Sequence, residues 1–381
     1  MIRLLTAGES HGPGLTVIID GLPAGIPFDP ALINRELSRR QHGYGRGERM
    51  KIEKDMIQVR AGIRSGRTLG APVAFFIANN DYENWRAVMA IEKVQPATHI
   101  TCPRPGHADL PGALKYGHND LRDVLERASA RETAGRVAAG GLLKTFLREL
   151  DVEIFSQTIA IGGIRIRKRG INCRVPDRSP LRCADALRER AMIRRIDRAR
   201  SRGDTLGGVT EITARGVCPG LGSMAQFDRR LDSRIGLAML SIPSVKGVEI
   251  GDAWDNTRRF GSQVQDEIFF RRGRGFFRKT NRGGGIEGGI TNGSRLVVRL
   301  AVKPIPTLAR PLRSADLKTG RPVFAHRDRA DICALPAVGV IAEAMLAWVL
   351  ADAYLEKFGS DSLRDIRASY RRYCRRIRNA G

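Results

Sequence analysis

Acidic residues are the scarce class in this 381-residue chain: 40 Asp and Glu stand against 65 Lys and Arg, leaving a formal charge of +25. A field of that sign concentrates anions, whether nucleic acid, acidic lipid or phosphorylated metabolites. Aromatic residues are few, at 6%, which is thin for a platform that stacks single-stranded bases. Neither zinc-finger spacing nor an RNP-type motif occurs. The six cysteines (Cys102, Cys173, Cys183, Cys218, Cys333 and Cys374) form no C-x-x-C pair. That argues against a metal centre and a disulfide framework, and fits a reducing cytoplasm. No apolar run approaches the roughly 18 uninterrupted residues of a membrane span. The N-terminus lacks the basic region, apolar core and cleavage site of a secretion signal. A cytoplasmic protein without a membrane partner is expected.

What remains is a folding composition, 42% hydrophobic and 28% charged. The basic residues are mostly arginine, whose fork binds carboxylate and phosphate bidentately. They spread over the whole chain and are densest from Arg165 to Arg202, where the ordinary reading is a solvated face. Nucleic acid is the weaker partner class on these grounds.

Asp29-Pro30 reads as a helix cap followed by proline at the first helical position, with Leu32, Ile33 and Leu37 as the apolar stripe and closure near Gly43. Residues 56–62 and 70–78 read as strands, and 83–119, broken by four prolines, as an irregular segment. One long helix is expected over 119–150. Its three interior glycines each cost about 1 kcal/mol of helix propensity, which close packing would offset. Strands are expected at 152–166 and 207–215, a helix around 226–240, a strand after 293, a buried helix over 336–358 and a basic tail from about 360 to 381, frayed over its last stretch, RRYCRRIRNAG (371–381). Clustered strands with long apolar helices between them argue an α+β fold, and no linker splits the chain, so one domain over 1–381 is expected.

Glycine-rich or basic loops punctuate these elements: GESHGPG (8–14), RRQHGYGRGERM (39–50), CPRPGHADLPGALKYG (102–117) and RGGGIEGGITNG (282–293). The segments ERASARET (126–133) and HRDRADICALP (326–336) join them. Singly each is weak. Ser10 and His11 sit on a bare tight loop, and the bland reading is a turn whose histidine faces water. His11 and His107 titrate in the range that suits acid–base work, yet a lone loop histidine is more often structural. Asp331 has arginines beside it, and pairing with them is the default.

Taken together and in this order, the six segments resemble chorismate synthase, from residue 6 to about 350. The resemblance implies a lyase of the shikimate pathway, and so of aromatic amino acid biosynthesis. It would convert 5-enolpyruvylshikimate 3-phosphate to chorismate and phosphate by a 1,4-anti-elimination that requires reduced FMN. It also implies antiparallel sheets flanking a layer of long helices, and a homotetramer.

The same resemblance assigns residues. His11 would stand by the departing phosphate and His107 near the flavin, with Ser10 and Asp331 relaying a proton from the flavin. Arg40, Arg46, Arg104 and Arg131 would contact substrate. Flavin contacts would come from Arg127, Ala128 and Ser129, from Gln263 and Val264, and from Gly288. Lys303, Pro304, Ile305, Pro306 and Thr307 would complete them, together with Arg329. Ala330 departs from the family's usual serine. Two rival readings are a basic nucleic-acid-binding protein descended from the enzyme, and a flavin reductase using NAD(P)H.

Overall fold

The computed structural model describes residues 1–47, 53–92, 99–167, 176–273, 275–328 and 331–378. Alternating apolar positions build the first sheet from Arg3–Ala7 (β1), Gly14–Asp20 (β2), Gln58–Ala61 (β3) and Val73–Ala78 (β4). Val17, Ile19, Val73, Phe75 and Ile77 are buried on its inner face, while Thr16, Ile18 and Asp20 face outward. The strand order is β1-β2-β4-β3, antiparallel throughout. The Asp29 side chain caps Pro30–Gln41 (α1) by accepting from the Ala31 N–H at 2.9 Å.

The segment from 83 to 119 is less irregular than its prolines suggest. Asp109–Tyr116 is a helix (α2), because Pro111 sits in its first turn, where no intrahelical N–H is needed. Gly117, with φ of 72°, ends it. The single helix expected over 119–150 is two: Arg122–Ala128 (α3) and Thr133–Arg148 (α4), parted by a 3-10 turn at Ala130–Glu132. Ser129 makes the break. It is extended, with ψ of 142°, and its side chain accepts from the Arg131 N–H.

The second sheet is formed by Glu153–Ile161 (β5), Ile164–Arg165 (β6), Gly208–Arg215 (β7), Val245–Ile250 (β8) and Leu296–Val302 (β9). Its order is β8-β9-β7-β5-β6, again antiparallel. Between β6 and β7 the chain forms a basic helix, Ala186–Ser201 (α5). Leu231–Leu240 (α6) and Leu335–Phe358 (α7) are the helices read from the sequence around 226–240 and 336–358. As far as Arg378 the tail is helical rather than frayed. Leu363–Arg378 (α8) buries Leu363 and Ile366 and sets Tyr370 and Tyr373 edge-on to Phe358.

Between the sheets, α4 packs on the first and α7 on the second, and α4 and α7 pack on each other. This is the α+β layering of antiparallel sheets around long helices. Gly140 allows the helix contact, since a Cβ there would lie 2.2 Å from the Ala344 Cβ. Among the described residues α7 alone is long and apolar enough to cross a membrane, but it is buried in this core. It also carries Glu343, which meets Arg39, Lys144 and Arg182. Burial pushes the Glu343 carboxyl up, and those three cations together hold it well below the usual carboxylate range.

Candidate active site

Loop 8–14 connects β1 to β2 and is fastened from three sides. Gly8 has φ of 112°, and a Cβ there would come within 2.3 Å of the Gly14 carbonyl oxygen, so only glycine closes this turn. Asn79, at the end of β4, donates its side-chain amide to the carbonyls of Glu9 (3.2 Å) and Gly12 (2.6 Å). Arg127 donates to the carbonyls of Thr6 and Gly8. Glu126 holds the loop from below. Its carbonyl accepts from the Ser10 N–H at 3.0 Å, and its carboxylate accepts from the His11 N–H at 2.8 Å. It also meets the His11 Nδ1 at 2.9 Å. His11 is therefore turned inward, 8% exposed, and does not face water. The Trp85 ring stacks on it with centroids 4.0 Å apart.

Asn79 also joins this loop to a buried arginine pair. Its side-chain oxygen accepts from the Arg131 Nε at 2.9 Å. Arg131 and Arg40 share one carboxylate, Asp55, and Glu53 lies 3.7 Å from Arg131. Arg40, near the end of α1, further donates to the Thr133 hydroxyl and the Ala130 carbonyl. The break at Ser129 is what brings the 130–133 turn to these guanidiniums. Burial pushes the Arg40 guanidinium down to about 10, with Asp55 pulling against it and the charges of Arg131 and Arg46 adding to the depression. The Asp331 charge reaches Arg40 too. Asp331 itself accepts from the Arg46 guanidinium and from the Gly47 N–H, the latter at 2.6 Å.

A second cluster forms where 104–107 meets 303–307. Arg104 clasps Asp109 with Nε at 2.8 Å and Nη2 at 3.1 Å, and gives Nη1 to the Thr307 hydroxyl at 3.0 Å. His107 Nδ1 lies 2.6 Å from the Asp109 oxygen that also accepts from Arg104 Nη2. Burial raises the Asp109 carboxyl, but His107 and Arg104 outweigh it and hold the group well below its usual range. The Lys303 ammonium donates to the Gly106 carbonyl, and burial beside Lys246 pushes its proton affinity down. His326 donates its backbone N–H to the Cys102 carbonyl at 3.0 Å. Burial pushes it down as well, and the fields of Asp328, Arg104, Arg122 and Asp109 all reach it.

Two groups result: Ser10, His11, Arg40, Arg127 and Arg131 are joined through Glu126, Asn79 and Asp55, with the Arg46–Asp331 pair acting on Arg40 by its charges, and Arg104, His107, Lys303 and Thr307 form the second. The first can bind a multiply charged anion between fixed guanidiniums, and each group holds one imidazole against a carboxylate. The chorismate synthase family model matches residues 2–355. The chorismate synthase of Moorella thermoacetica is 53% identical, over 99% of this chain and the whole of that one.

The chain belongs to the chorismate synthase family.

The relative from Desulforudis audaxviator, also a chorismate synthase, is 53% identical over 99% of this chain and 98% of its own. A crystal structure of chorismate synthase superposes with a TM-score of 0.81 at 41% identity, covering 99% of this chain and 98% of that one.

Not every residue implied by that family resemblance is held to this centre. Gln263 caps the short turn Gly261–Val264 through Phe260. Gly288 lies in the hairpin Ile286–Thr291, which is anchored on Cys218–Gly222 and α6. Arg329 and Ala330 lie outside the described residues, as do Glu48, Arg49 and Met50. The carboxylates were overlooked from sequence: Glu53, Asp55, Asp109 and Glu126 hold the site's cations, and Trp85 covers His11. Asp109 and Glu126 stand inside the quoted segments GHADL and ERASARET. The signal was available, because buried arginines and histidines need counter-charges.

Proposed function

We propose that this chain converts 5-enolpyruvylshikimate 3-phosphate to chorismate and inorganic phosphate by 1,4-anti-elimination, using reduced FMN, as a carbon–oxygen lyase of the shikimate pathway. The observation that carries the reading is the buried arginine group at Arg40, Arg46 and Arg131. Burial, with the charges of Arg131 and Arg46 adding to it, depresses Arg40 to about 10. A substrate with two carboxylates and a phosphate favours the charged guanidinium there, and a neutral one does not.

The residues near 303–307 and 127–129 suit a phosphorylated flavin. Lys303 supplies a half-screened cation, Thr307 a hydroxyl, and Gly106 presents only backbone beside Lys303, a Cβ there falling 3.2 Å from its amine. When bound, reduced flavin supplies electron density as the phosphate leaves and a base for the departing hydrogen. The protein's own residues then bind and place. Arg40, Arg46 and Arg131 orient the carboxylates and phosphate. His11 stabilises or protonates the leaving phosphate. His107, held by Asp109, sets the polarity beside the flavin. Asp331 serves as a proton acceptor with Ser10, on condition that its hold on Arg46 is shared with substrate during turnover.

We read residues 1–381 as one catalytic domain, because a continuous apolar core joins both sheets through α4 and α7. Cytoplasmic location and a homotetramer belong to the same reading. Phosphate release assayed anaerobically with dithionite-reduced FMN tests it. Turnover is expected with reduced flavin and none with oxidised flavin, and equal turnover would overturn the proposal. Replacing dithionite by NADPH in the same assay reads whether the chain reduces its own flavin.

A further inference from the structure

The last helix, α8, carries arginine at 364, 367, 371, 375 and 378. At 3.6 residues per turn, these spacings of three and four put all of them within an arc of about 80°. The apolar side of the helix lies about 120° round from that stripe: Leu363 and Ile366 are buried, and Tyr370 and Tyr373 pack on Phe358. The stripe lines two open cavities that meet at Arg371. The first, of about 710 Å³, adds Arg67, from the turn between β3 and β4, to Arg364, Arg367 and Arg371, with Leu363 and Ala368 as apolar lining. The second, of about 450 Å³, is lined by Arg375 and Arg378 beside Tyr370. Two backbone bonds of 2.9 Å, from the Leu363 N–H to the Ala24 carbonyl and from the Ala24 N–H to the Asp361 carbonyl, fix the start of the helix against the opposite wall. Counter-charge is scarce here. Glu149 meets Arg367 at 3.0 Å, Asp151 lines the second cavity, and Asp365 accepts from the Ser362 hydroxyl at 2.6 Å. Arg67 gives one N–H to the Gly25 carbonyl. Arg364, Arg371, Arg375 and Arg378 have no hydrogen bond or ion pair among the described residues.

We propose that the arginine stripe of α8 binds the phosphate backbone of nucleic acid, without regard to sequence. This is a second binding function, and it does not depend on the reaction proposed above. From Arg364 to Arg378 the helix rises about 21 Å, which is the rise of about six nucleotides in one strand. Cations repeating every 5–6 Å or so along a line match an anion that also repeats along a line, and each guanidinium fork suits a phosphate. An acidic protein surface fits less well. Such interfaces are anchored by large side chains entering pockets, and the first cavity offers such an anchor little beyond Leu363 and Ala368. A membrane fits worse, because the apolar face that enters a bilayer is spent here on Phe358. With Tyr370 and Tyr373 engaged on that same ring, the stripe presents guanidiniums and not stacking platforms. Its contacts are therefore to phosphate and sugar, which fix a strand in place and carry no sequence information.

Two triple variants of the full-length protein remove the same charge from different places. One is Arg364→Gln, Arg371→Gln and Arg375→Gln on the stripe. The other is Arg190→Gln, Arg194→Gln and Arg198→Gln on α5, the other basic helix. Anisotropy of a fluorescein-labelled oligouridine of about 20 nucleotides reads binding between about 50 and 200 mM salt. Four or five phosphate contacts give the wild type a slope of log K against log salt of about −3, at about −0.7 per contact. The stripe variant is expected to show a slope of about −1 and to bind about 100-fold more weakly at about 0.1 M salt. The α5 variant is expected to keep the wild-type slope and affinity. The proposal is overturned if the wild type does not bind at about 50 mM salt, or if both triple variants lose affinity equally, which would make net charge the cause. Labelled poly-glutamate of similar length bound more tightly than the oligonucleotide would make an acidic protein the partner and overturn it too. Phosphatidylserine vesicles bound in preference to the oligonucleotide would do the same for a membrane. Melting temperatures show whether the variants fold. If the stripe triple does not, Arg371→Gln alone decides, since Arg371 lines both cavities. Its slope is expected to be shallower by about 0.7, and an unmoved slope overturns the proposal.

Discussion

The Arg46 guanidinium lies on one oxygen of the Asp331 carboxylate while the Gly47 N–H holds the other. A substrate-binding cation and a proton acceptor of the proposed reaction thus neutralise each other before substrate arrives. Asp331→Asn keeps the shape, removes the basicity and leaves Arg46 a freer cation for substrate. Turnover is expected to drop at least about 10-fold, roughly 1.4 kcal/mol in the barrier, with KM unchanged or lower. Single-turnover rates beside substrate titrations check this. A destabilised variant with a normal single-turnover rate would make Asp331 a structural partner of Arg46 and nothing more.

Arg131 touches two buried carboxylates, Asp55 and Glu53, and the amide of Asn79. Arg131→Ala is expected to weaken substrate binding by about 2–5 kcal/mol, the range for truncating one partner of a desolvated charge pair. It is also expected to destabilise the fold by about 3–5 kcal/mol, because the two acids are left with less counter-charge. Asp55→Asn is expected to act in the opposite sense on binding, since Arg40 and Arg131 lose their shared acid. Equilibrium titration with substrate separates the two. Equal affinities in wild type and both variants would place the anion elsewhere.

The long helices, the strands and the cap at Asp29 were legible because period and capping chemistry are local. The break at Ser129 was not read, since it carries neither glycine nor proline. Ser129 followed by Glu132 has the S-x-x-E spacing of a helix start, and that was the available signal. The helix α2 was hidden by Pro111, which is harmless in a first turn. The order of α8 depends on Tyr370 and Tyr373 finding Phe358, a contact that no local pattern announces. At the site, the arginines and histidines stood out from sequence by residue type and motif. Their acids did not, because Glu53 and Asp55 belong to no quoted motif and reach Arg131 only through the fold. Gln263, Val264 and Gly288 show the converse, since matching a motif does not by itself place a residue on the arginine centre.

Asp109 holds Arg104 and His107 at once, and its carboxyl lies well below the ordinary 3.8. A carboxyl depressed on folding adds stability that is complete above its unfolded value and is lost as pH falls toward the lower folded one. Asp109→Asn is therefore expected to be less stable than wild type at pH 7, with the gap narrowing below about pH 4. Urea unfolding at pH 7, 5 and 3 reads this directly. In the same variant the bound flavin spectrum is expected to titrate differently, because His107 loses its partner. A stability gap independent of pH would mean that packing, and not charge, is what Asp109 contributes.

The contact of Gly140 with Ala344 sets the separation of α4 and α7, and through it the spacing of the two sheets. A methyl at 140 would lie 2.2 Å from the Ala344 Cβ and 2.6 Å from its Cα, and a backbone atom cannot swing aside as a side chain does. Gly140→Ala gains about 1 kcal/mol of helix propensity but forces the helices apart, where overpacking costs about 1–3 kcal/mol and sometimes more. The variant is expected to be less stable on balance. Ala344→Gly alone loses helix propensity and one methyl contact, so it is also expected to be less stable. The double variant moves the methyl from one helix to the other and is expected to recover most of the wild-type stability, with a coupling of about 0.5–3 kcal/mol. Urea midpoints of the four proteins give that coupling. Additive losses would mean that α4 and α7 are free to adjust, and that the glycine is not what lets them approach.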